Sequence, residues 1–166
     1  MMKILIDNGH GVNTSGKQSP DGRLREYAYA REIAKRVENC LKCRGYDAER
    51  IVTEEEDISL STRCKRVNDV CRKLGSKNVM VVSIHNNAAG GDGKWHDARG
   101  FSAHVPACKY IAQNLAICRD TMCAAVLTEN LFQDNKDDVD FLLSEEGKQK
   151  ITELHVNAII TYIKSL

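Results

Sequence analysis

The chain has 166 residues, 42% of them apolar, with 24 basic and 23 acidic side chains. That length is sufficient for one domain with a buried core. Because the charges balance, the sequence gives no electrostatic basis for binding nucleic acid or an anionic membrane surface. We therefore expect no nucleic-acid partner. No apolar run is long enough to span a bilayer, so we also expect no membrane span.

The amino terminus reads Met-Met-Lys-Ile-Leu-Ile-Asp and lacks the layout of a signal peptide. We therefore expect the protein to be made in the cytoplasm, and to stay there unless an external signal has been removed or it leaves by another route. The seven cysteines form an odd number, which favours free thiols over a disulfide framework. Cys40 and Cys43 form a C-x-x-C pair, which we interpret as two thiols near a helix end.

The first half of the chain alternates predicted strands and helices. Residues 3–7, residues 46–52 and Val79–Asn87 are predicted strands, and the last of these is almost entirely apolar until its polar end. Helices are predicted for residues 23–44 and, after the cap Ser59, up to about residue 73. The order strand, helix, strand, helix, strand is typical of an α/β fold with a parallel sheet.

The second half contains shorter apolar runs separated by polar loops. Residues 101–105 and 124–128 are predicted strands, and residues 115–117 could form another. A glycine-rich loop that carries the only tryptophan, Trp95, covers residues 88–99.

Apolar spacing of three to four residues predicts which helix faces are buried. The helix after Ser59 has a predicted buried stripe of Leu60, Cys64, Val67, Cys71 and Leu74. A final helix, capped by Ser144, reaches about residue 164, and its predicted inward residues are Ile151, Leu154, Ala158 and Tyr162. No element is predicted for the polar and acidic residues 133–140.

Four residues capable of chemistry are expected at one edge of the sheet. His10, His85 and Glu129 each follow a predicted strand, and Glu26 begins the helix after the first strand. The carboxyl ends of parallel strands and the starts of the helices that follow them lie at the same edge. A carboxylate in the position of Glu26 is costly to bury unless it is paired or binds a metal. Alternatively, the first turn of this helix is frayed and Glu26 interacts with the helix dipole.

Two imidazoles and one carboxylate form a His₂Glu zinc site with a fourth position open for water. Zinc lowers the pKa of bound water and polarises a carbonyl group. A second carboxylate that does not bind the metal can accept the proton of the water and pass it to a leaving amine. The four residues together therefore indicate zinc-dependent hydrolysis of an amide, although a single histidine at a strand end is more often structural.

Several segments together resemble a known family. They are Ile6-Asp7-Asn8-Gly9-His10-Gly11, Glu26, Ser83-Ile84-His85-Asn86-Asn87-Ala88 and Ala125-Val126-Leu127-Thr128-Glu129-Asn130. The sequence is similar to the zinc-dependent N-acetylmuramoyl-L-alanine amidases of the amidase-3 type. These enzymes remodel or break bacterial cell walls, and many are phage or prophage endolysins. The resemblance extends over nearly the whole chain.

The resemblance implies a catalytic domain with a mostly parallel, twisted sheet and helices on both faces. Because the sequence shows no domain boundary, we expect this single domain over residues 1–166 and no separate wall-binding module. The resemblance also implies that Zn²⁺ is held by His10, Glu26 and His85, and that Glu129 is the catalytic glutamate. The substrate would be peptidoglycan, cut between N-acetylmuramic acid and L-alanine. The enzyme would then act at the cell wall after release or export.

Three further residues are expected to bind substrate. Arg119 matches a family motif residue that lies near the site. Asn86 and Asn87 begin the loop up to Arg99 that we expect to line the substrate groove. These three assignments depend on the resemblance and on the order of the elements.

One departure from the family concerns residues 106–113, which are too few for the helix and loop that the family usually carries after the fourth strand. We expect an incomplete groove wall and a bare apolar face, which would favour a homodimer or reduce stability and activity. Two other functions stay open at this point. One is a zinc peptidase or deacylase acting on another amide, and the other is an inactive prophage-type remnant that only binds metal or cell wall.

Overall fold

A five-stranded sheet organises the described part of the chain, which is residues 2–105 and 115–166 of a computed structural model. The strands and helices, in chain order, are β1 (Lys3–Asn8), α1 (Glu26–Cys43), β2 (Asp47–Arg50), α2 (Leu60–Leu74), β3 (Val79–Asn87), β4 (Phe101–His104), α3 (Ala116–Arg119), β5 (Ala124–Phe132), α4 (Lys136–Leu143) and α5 (Glu145–Lys164). The strand order is β2-β1-β3-β5-β4, and only β4 runs antiparallel to its neighbour. The predicted α/β fold with a mostly parallel sheet is confirmed.

Strand β3 lies at the centre of the sheet and is apolar on both faces because helices cover both. Ile4, Val82 and Ile84 pack in one cluster with α1 and α5. On the opposite face, Leu5 and Val81 pack in a second cluster with α2 and α3. A continuous apolar run therefore marks this strand, as expected for a buried parallel strand.

Two helix starts follow the sequence closely. The Ser59 hydroxyl accepts a hydrogen bond from the Thr62 backbone N–H, and the Ser144 hydroxyl accepts one from the Gly147 backbone N–H. Such caps satisfy backbone donors that have no partner within the helix. Within the described residues, no helix combines the length and apolar character needed to cross a membrane.

Several predicted elements are wrong in the second half. Residues 115–117 do not form a strand but lead into α3, whose Ile117 is buried against the α2 face. Helix α4 occupies the acidic stretch where no element was predicted, and the Asn135 side chain caps it by accepting a hydrogen bond from the Asp138 N–H. In α2, the terminal residues Leu60 and Leu74 are exposed, although the apolar spacing predicted them to be buried.

The buried stripe of α5 is rotated relative to the prediction. Its buried residues include Thr152 and His155 besides Ile151, Val156 and Ile159, whereas Leu154 and Tyr162 are exposed. The two polar residues can be buried because their side chains find partners: the Thr152 hydroxyl donates to the Lys148 carbonyl, and the His155 ring bonds Thr128. Apolar spacing alone therefore gave the wrong face.

The rotated stripe leaves an apolar groove between the sheet and α5, called the α5 groove below. Its volume is 560 Å³, and its lining includes Val82, Val126, Leu154 and Tyr162. Val105, which also lines it, is the last described residue before the gap. The shortened segment of residues 106–113 lies outside the described residues.

Candidate metal and catalytic site

The turn after β1 brings the backbone against neighbouring groups. A Cβ added at Gly9 would clash with the ring of His85, and one added at Gly11 would clash with the backbone at Asp57. Between the two glycines, His10 has φ of 59°. This left-handed conformation is uncommon for a residue with a Cβ, so surrounding contacts must stabilise it.

Two guanidinium groups hold the backbone of this turn. The His10 carbonyl accepts hydrogen bonds from Arg31 Nη1 at 3.0 Å and from Arg63 Nη2 at 3.2 Å. Arg63 is buried on α2, and its Nη1 also donates to Asp7 Oδ1 at 2.6 Å and to the Asn8 carbonyl at 2.7 Å. The orientation of His10 thus depends on two arginines that we did not predict from the sequence. In the sequence, each of the two appears only as a charged residue beside the predicted buried stripe of a helix.

Glu26, the first residue of α1, is completely buried. Its Oε1 lies 3.1 Å from His85 Nδ1 and 3.3 Å from His10 Nε2, and accepts a hydrogen bond from the Asn86 N–H at 3.0 Å. Burial alone would raise the pKa of Glu26, but the hydrogen bonds and charges of the two histidines outweigh it and hold the pKa below its usual range. A frayed first turn, the alternative interpretation of Glu26, is wrong.

The three side chains form a group suited to a metal ion. One ligand atom from each of His10, Glu26 and His85 lies within 4.8 Å of the other two. The imidazole rings meet edge to face, with centroids 4.9 Å apart. Glu26 Oε2 is buried without a hydrogen-bond partner among the described residues. A metal ion would satisfy this oxygen, so the residues present fit the predicted ligand set.

Glu129 lies beside this group because of strand register. It pairs with His85 across the parallel strands β5 and β3, so the two side chains project from the same face of the sheet. It does not end its strand, as the sequence suggested, since β5 continues to Phe132. Burial raises the pKa of Glu129, the charge of His85 opposes this shift, and the negative charge of Glu26 adds to it. A carboxylate with a raised pKa is a better proton acceptor.

The two asparagines after His85 have different environments. The side chain of Asn86 is buried and donates a hydrogen bond to the Asn130 carbonyl, so it does not face a groove. Its backbone N–H holds Glu26 instead. Asn87 is half-buried, and its side-chain oxygen accepts a hydrogen bond from the Ala88 N–H. Of the two, only Asn87 is placed where a substrate could reach it.

Arg119 lies on the short helix α3, which packs beside α2 and β5. Its guanidinium forms an ion pair with Asp120. The described residues that line the 360 Å³ cavity beside His10 and His85 include Asp7, Asp57 and Ser59 but not Arg119. The structure therefore brings together the three candidate metal ligands and Glu129, whereas Arg119 is not among the residues that line the cavity beside them.

Comparisons with known proteins agree with this arrangement. The model of the amidase-3 family, N-acetylmuramoyl-L-alanine amidases, matches residues 4–112. The endolysin of Bacillus phage SPP1 is 27% identical over 94% of this chain and 64% of its own length. The amidase CwlM of Bacillus licheniformis is 29% identical over 96% of this chain and 68% of its own length. The chain thus spans about two thirds of these curated relatives.

Solved structures show the same fold. An N-acetylmuramoyl-L-alanine amidase from Clostridium difficile 630 superposes with a TM-score of 0.83, at 21% identity, over 99% of this chain and 97% of its own. The catalytic domain of CwlV from Bacillus (Paenibacillus) polymyxa var. colistinus gives 0.82, at 22% identity, over 99% of both chains. Together with the family match over residues 4–112, these likenesses lead to one conclusion: the chain belongs to the amidase-3 family of N-acetylmuramoyl-L-alanine amidases.

Proposed function

We propose that this protein hydrolyses the amide bond between N-acetylmuramic acid and L-alanine in peptidoglycan. One observation carries the proposal: His10, Glu26 and His85, of which Glu26 is buried, form a group beside Glu129, in a chain of the amidase family. The site therefore combines ligands for a Lewis acid with a carboxylate whose pKa is raised. These are the groups that amide hydrolysis requires.

We infer that the metal is Zn²⁺, because two imidazoles and one carboxylate are a donor set typical of catalytic zinc. When bound, zinc supplies polarisation of the substrate carbonyl and lowers the pKa of a water ligand. His10 and His85 would bind through ring nitrogens and Glu26 through a carboxylate oxygen. The Asn86 N–H fixes the orientation of the Glu26 carboxylate, which is the kind of supporting contact that metal ligands need.

Glu129 is proposed as the general base and acid. Its carboxylate accepts a proton from the attacking water and passes it to the nitrogen of L-alanine as the amide bond breaks. Its Oε2 has no hydrogen-bond partner among the described residues, which supports this role because a proton acceptor must be free to receive the proton. Asn87 is proposed to contact substrate at the tip of β3. A substrate role for Arg119 remains a prediction.

Digestion of purified peptidoglycan tests the proposal. We expect new amino groups on L-alanine, no new reducing sugar ends, loss of activity with a chelator and recovery with Zn²⁺. Amino groups released from another residue would instead favour a zinc peptidase. If no bond is cut while metal analysis finds one zinc per chain, the protein is not an amidase but a binding remnant.

A homodimer that covers the α5 groove also remains a prediction. The apolar lining of that groove, with exposed Leu154 and Tyr162, supports it because exposed apolar patches favour association. Gel filtration with light scattering distinguishes a monomer of 18.6 kDa from a species of twice that mass. Action at the cell wall after release or export follows from the proposed substrate.

A further inference from the structure

A second polar cavity opens at the same sheet edge as the metal ligands, and we call it the Asp134 cavity. Its volume is 190 Å³. Three segments line it: the loop after β1, the glycine-rich loop after β3, and the turn after β5 that contains Gln133 and Asp134. None of these lining residues belongs to the proposed metal site or is Glu129.

The Asp134 carboxylate is fixed by hydrogen bonds to one of its two oxygens, while the other oxygen has no hydrogen-bond partner among the described residues. The side chain is buried, and its Oδ2 accepts hydrogen bonds from the backbone N–H groups of Ala89 at 2.8 Å and Gly90 at 3.0 Å. Its backbone carbonyl accepts another from the His96 N–H at 2.8 Å. Oδ1, in contrast, is enclosed without a partner among the described residues. These contacts fix the carboxylate and leave one acceptor available.

Gln133 provides a second acceptor in the same cavity. It is 2% exposed, and its Oε1 also lacks a partner among the described residues. A buried acceptor left unpaired is unfavourable, and more so when it is charged. Two such oxygens, on neighbouring residues that line one cavity, favour a ligand that carries several N–H donors and a positive charge. A primary ammonium group has three donors and meets both requirements.

Charge within the cavity agrees with a cationic ligand. Lys94 also lines the cavity, but it is exposed to solvent. Solvent and salt screen an exposed charge much more than a buried one. The fixed carboxylate of Asp134 is therefore the charge that a group inside the cavity meets at close range.

The distance from the metal ligands matches the length of a short peptide. The Gln133 N–H donates to the carbonyl of Asn87, which lies two residues beyond His85 on β3. At about 3.3 Å per strand residue, this is roughly 7 Å along the strand. An extended peptide advances about 3.3 to 3.6 Å per residue. In the stem peptide the second residue is joined through its longer γ-linkage, so the peptide extends at least this far between L-alanine and the third residue, and the side chain of the third residue can reach the cavity.

We propose that Asp134 and Gln133 form a subsite for the side-chain ammonium group of a diamino acid at the third position of the stem peptide. Asp134 Oδ1 and Gln133 Oε1 accept hydrogen bonds from that ammonium group. This inference rests on the proposed amidase function. It makes the two residues determinants of substrate preference that take no part in bond cleavage.

Two matched substrates test the subsite. They are N-acetylmuramoyl-L-alanyl-D-isoglutaminyl-L-lysine and the same compound acetylated on the lysine side chain. For the unmodified protein with zinc, we expect kcat/KM to be about tenfold to hundredfold higher for the free amine, as charged hydrogen bonds in a buried site provide. The difference should lie mainly in KM, because the ammonium group is bound equally in the ground and transition states.

Asp134→Asn should abolish the preference. The asparagine oxygen can still accept from Ala89 and Gly90, while its NH₂ group then faces the cavity and repels an ammonium group. Asp137→Asn is the matched control, because this exposed residue loses the same charge and does not line the cavity. Gln133→Leu, a second variant, should reduce the preference without a charge change. Thermal unfolding checks that each variant is folded.

Equal kcat/KM for both compounds, or an unchanged preference in Asp134→Asn, overturns the subsite. Failure of the proposed function looks different, since neither compound would then be cleaved. Calorimetry with the Glu129→Gln protein covers that case, because it measures binding without turnover. Tighter binding of the free amine that is lost on adding Asp134→Asn supports the subsite, and equal affinities contradict it.

Discussion

Two concave regions of this molecule differ in size and in chemistry. The α5 groove has a volume of 560 Å³ and the cavity beside His10 and His85 has 360 Å³. In the larger one, the polar groups are satisfied, since Thr128 and His155 bond each other at 3.0 Å. Next to the smaller one, Glu26 contacts His10 and His85 and Glu129 pairs with His85, and both carboxylates have a buried oxygen that lacks a partner among the described residues. Unsatisfied buried polar groups, more than volume, indicate where this protein binds and reacts.

The strongest test of this contrast removes a proposed metal ligand. His85→Asn should abolish both zinc binding and peptidoglycan hydrolysis, because the remaining two side chains do not complete the ligand set. Zinc content after dialysis and release of amino groups measure the two effects. His96→Asn, on the loop after β3, is the control and should retain zinc. Full zinc occupancy in His85→Asn would contradict the ligand assignment.

Glu129→Gln should lower kcat by about 10² to 10⁴, the usual range for loss of a general base. Zinc content should stay at one ion per chain, because Glu129 is not a ligand in the proposed site. Glu153→Gln, an exposed change on α5, makes the matched control. An active Glu129→Gln protein would show that another group transfers the proton.

Arg63→Met should cost about 3 to 5 kcal/mol of unfolding free energy, because it leaves Asp7 buried without its partner. Zinc affinity should fall as well, since the His10 carbonyl loses a donor. Urea unfolding in chelator and competition with a chromophoric chelator measure the two effects separately. Arg66→Met on the same helix loses a half-exposed ion pair with Glu54 and should cost about 1 kcal/mol or less. Similar losses for both variants would contradict a special role for Arg63.

We expect the free energy of unfolding to depend on pH through His155, which lines the α5 groove. Burial lowers the pKa of His155 below its ordinary value of 6.5. As the pH falls through 6.5, the unfolded chain therefore binds a proton that the folded chain does not, and the unfolding free energy decreases. For one proton, the unfolding free energy decreases by at most about 1.4 kcal/mol per pH unit. Urea unfolding in chelator should show a steeper decrease below pH 6.5 for the unmodified protein than for His155→Gln, and parallel curves would exclude this cause.

The smallest effect is expected in the α5 groove itself. In the monomer, Leu154→Gln changes an exposed groove residue and should alter the unfolding free energy by no more than about 0.5 kcal/mol, with kcat/KM unchanged. Urea unfolding and the hydrolysis assay check both values. A loss of 2 kcal/mol or more would show that something covers this residue in solution, and light scattering would then identify a second copy.

The regular part of the fold was predictable because burial in a parallel sheet leaves a simple pattern. Strand β3 reads as a continuous apolar run, and the order of strands and helices then brings His10, Glu26 and His85 to one edge. His85 and Glu129 lie side by side because of the register of β3 and β5 as a whole, and not because of an interaction between the two residues. The general location of the site could thus be inferred before any side-chain geometry was known.

Other features depend on contacts that no local pattern records. The burial of Arg63 requires carbonyl groups that lie more than fifty positions away in the chain. His155 is buried because Thr128 and the Ile151 carbonyl satisfy its ring nitrogens, so the apolar stripe of α5 was misplaced. Helix α4 was missed because its acidic first turn resembled a loop, although Asp137 and Asp138 suit a helix start.

The pairing of His85 with Glu129 has a consequence for engineering. Neighbouring strands lie about 4.8 Å apart, so the sheet itself fixes the spacing between His85, a proposed metal ligand, and Glu129, the proposed base. The glycine-rich loop after β3 does not set that spacing, and it contains none of the four residues of the site. Segments of this loop could therefore be exchanged to alter which substrates bind, while the reacting groups keep their positions.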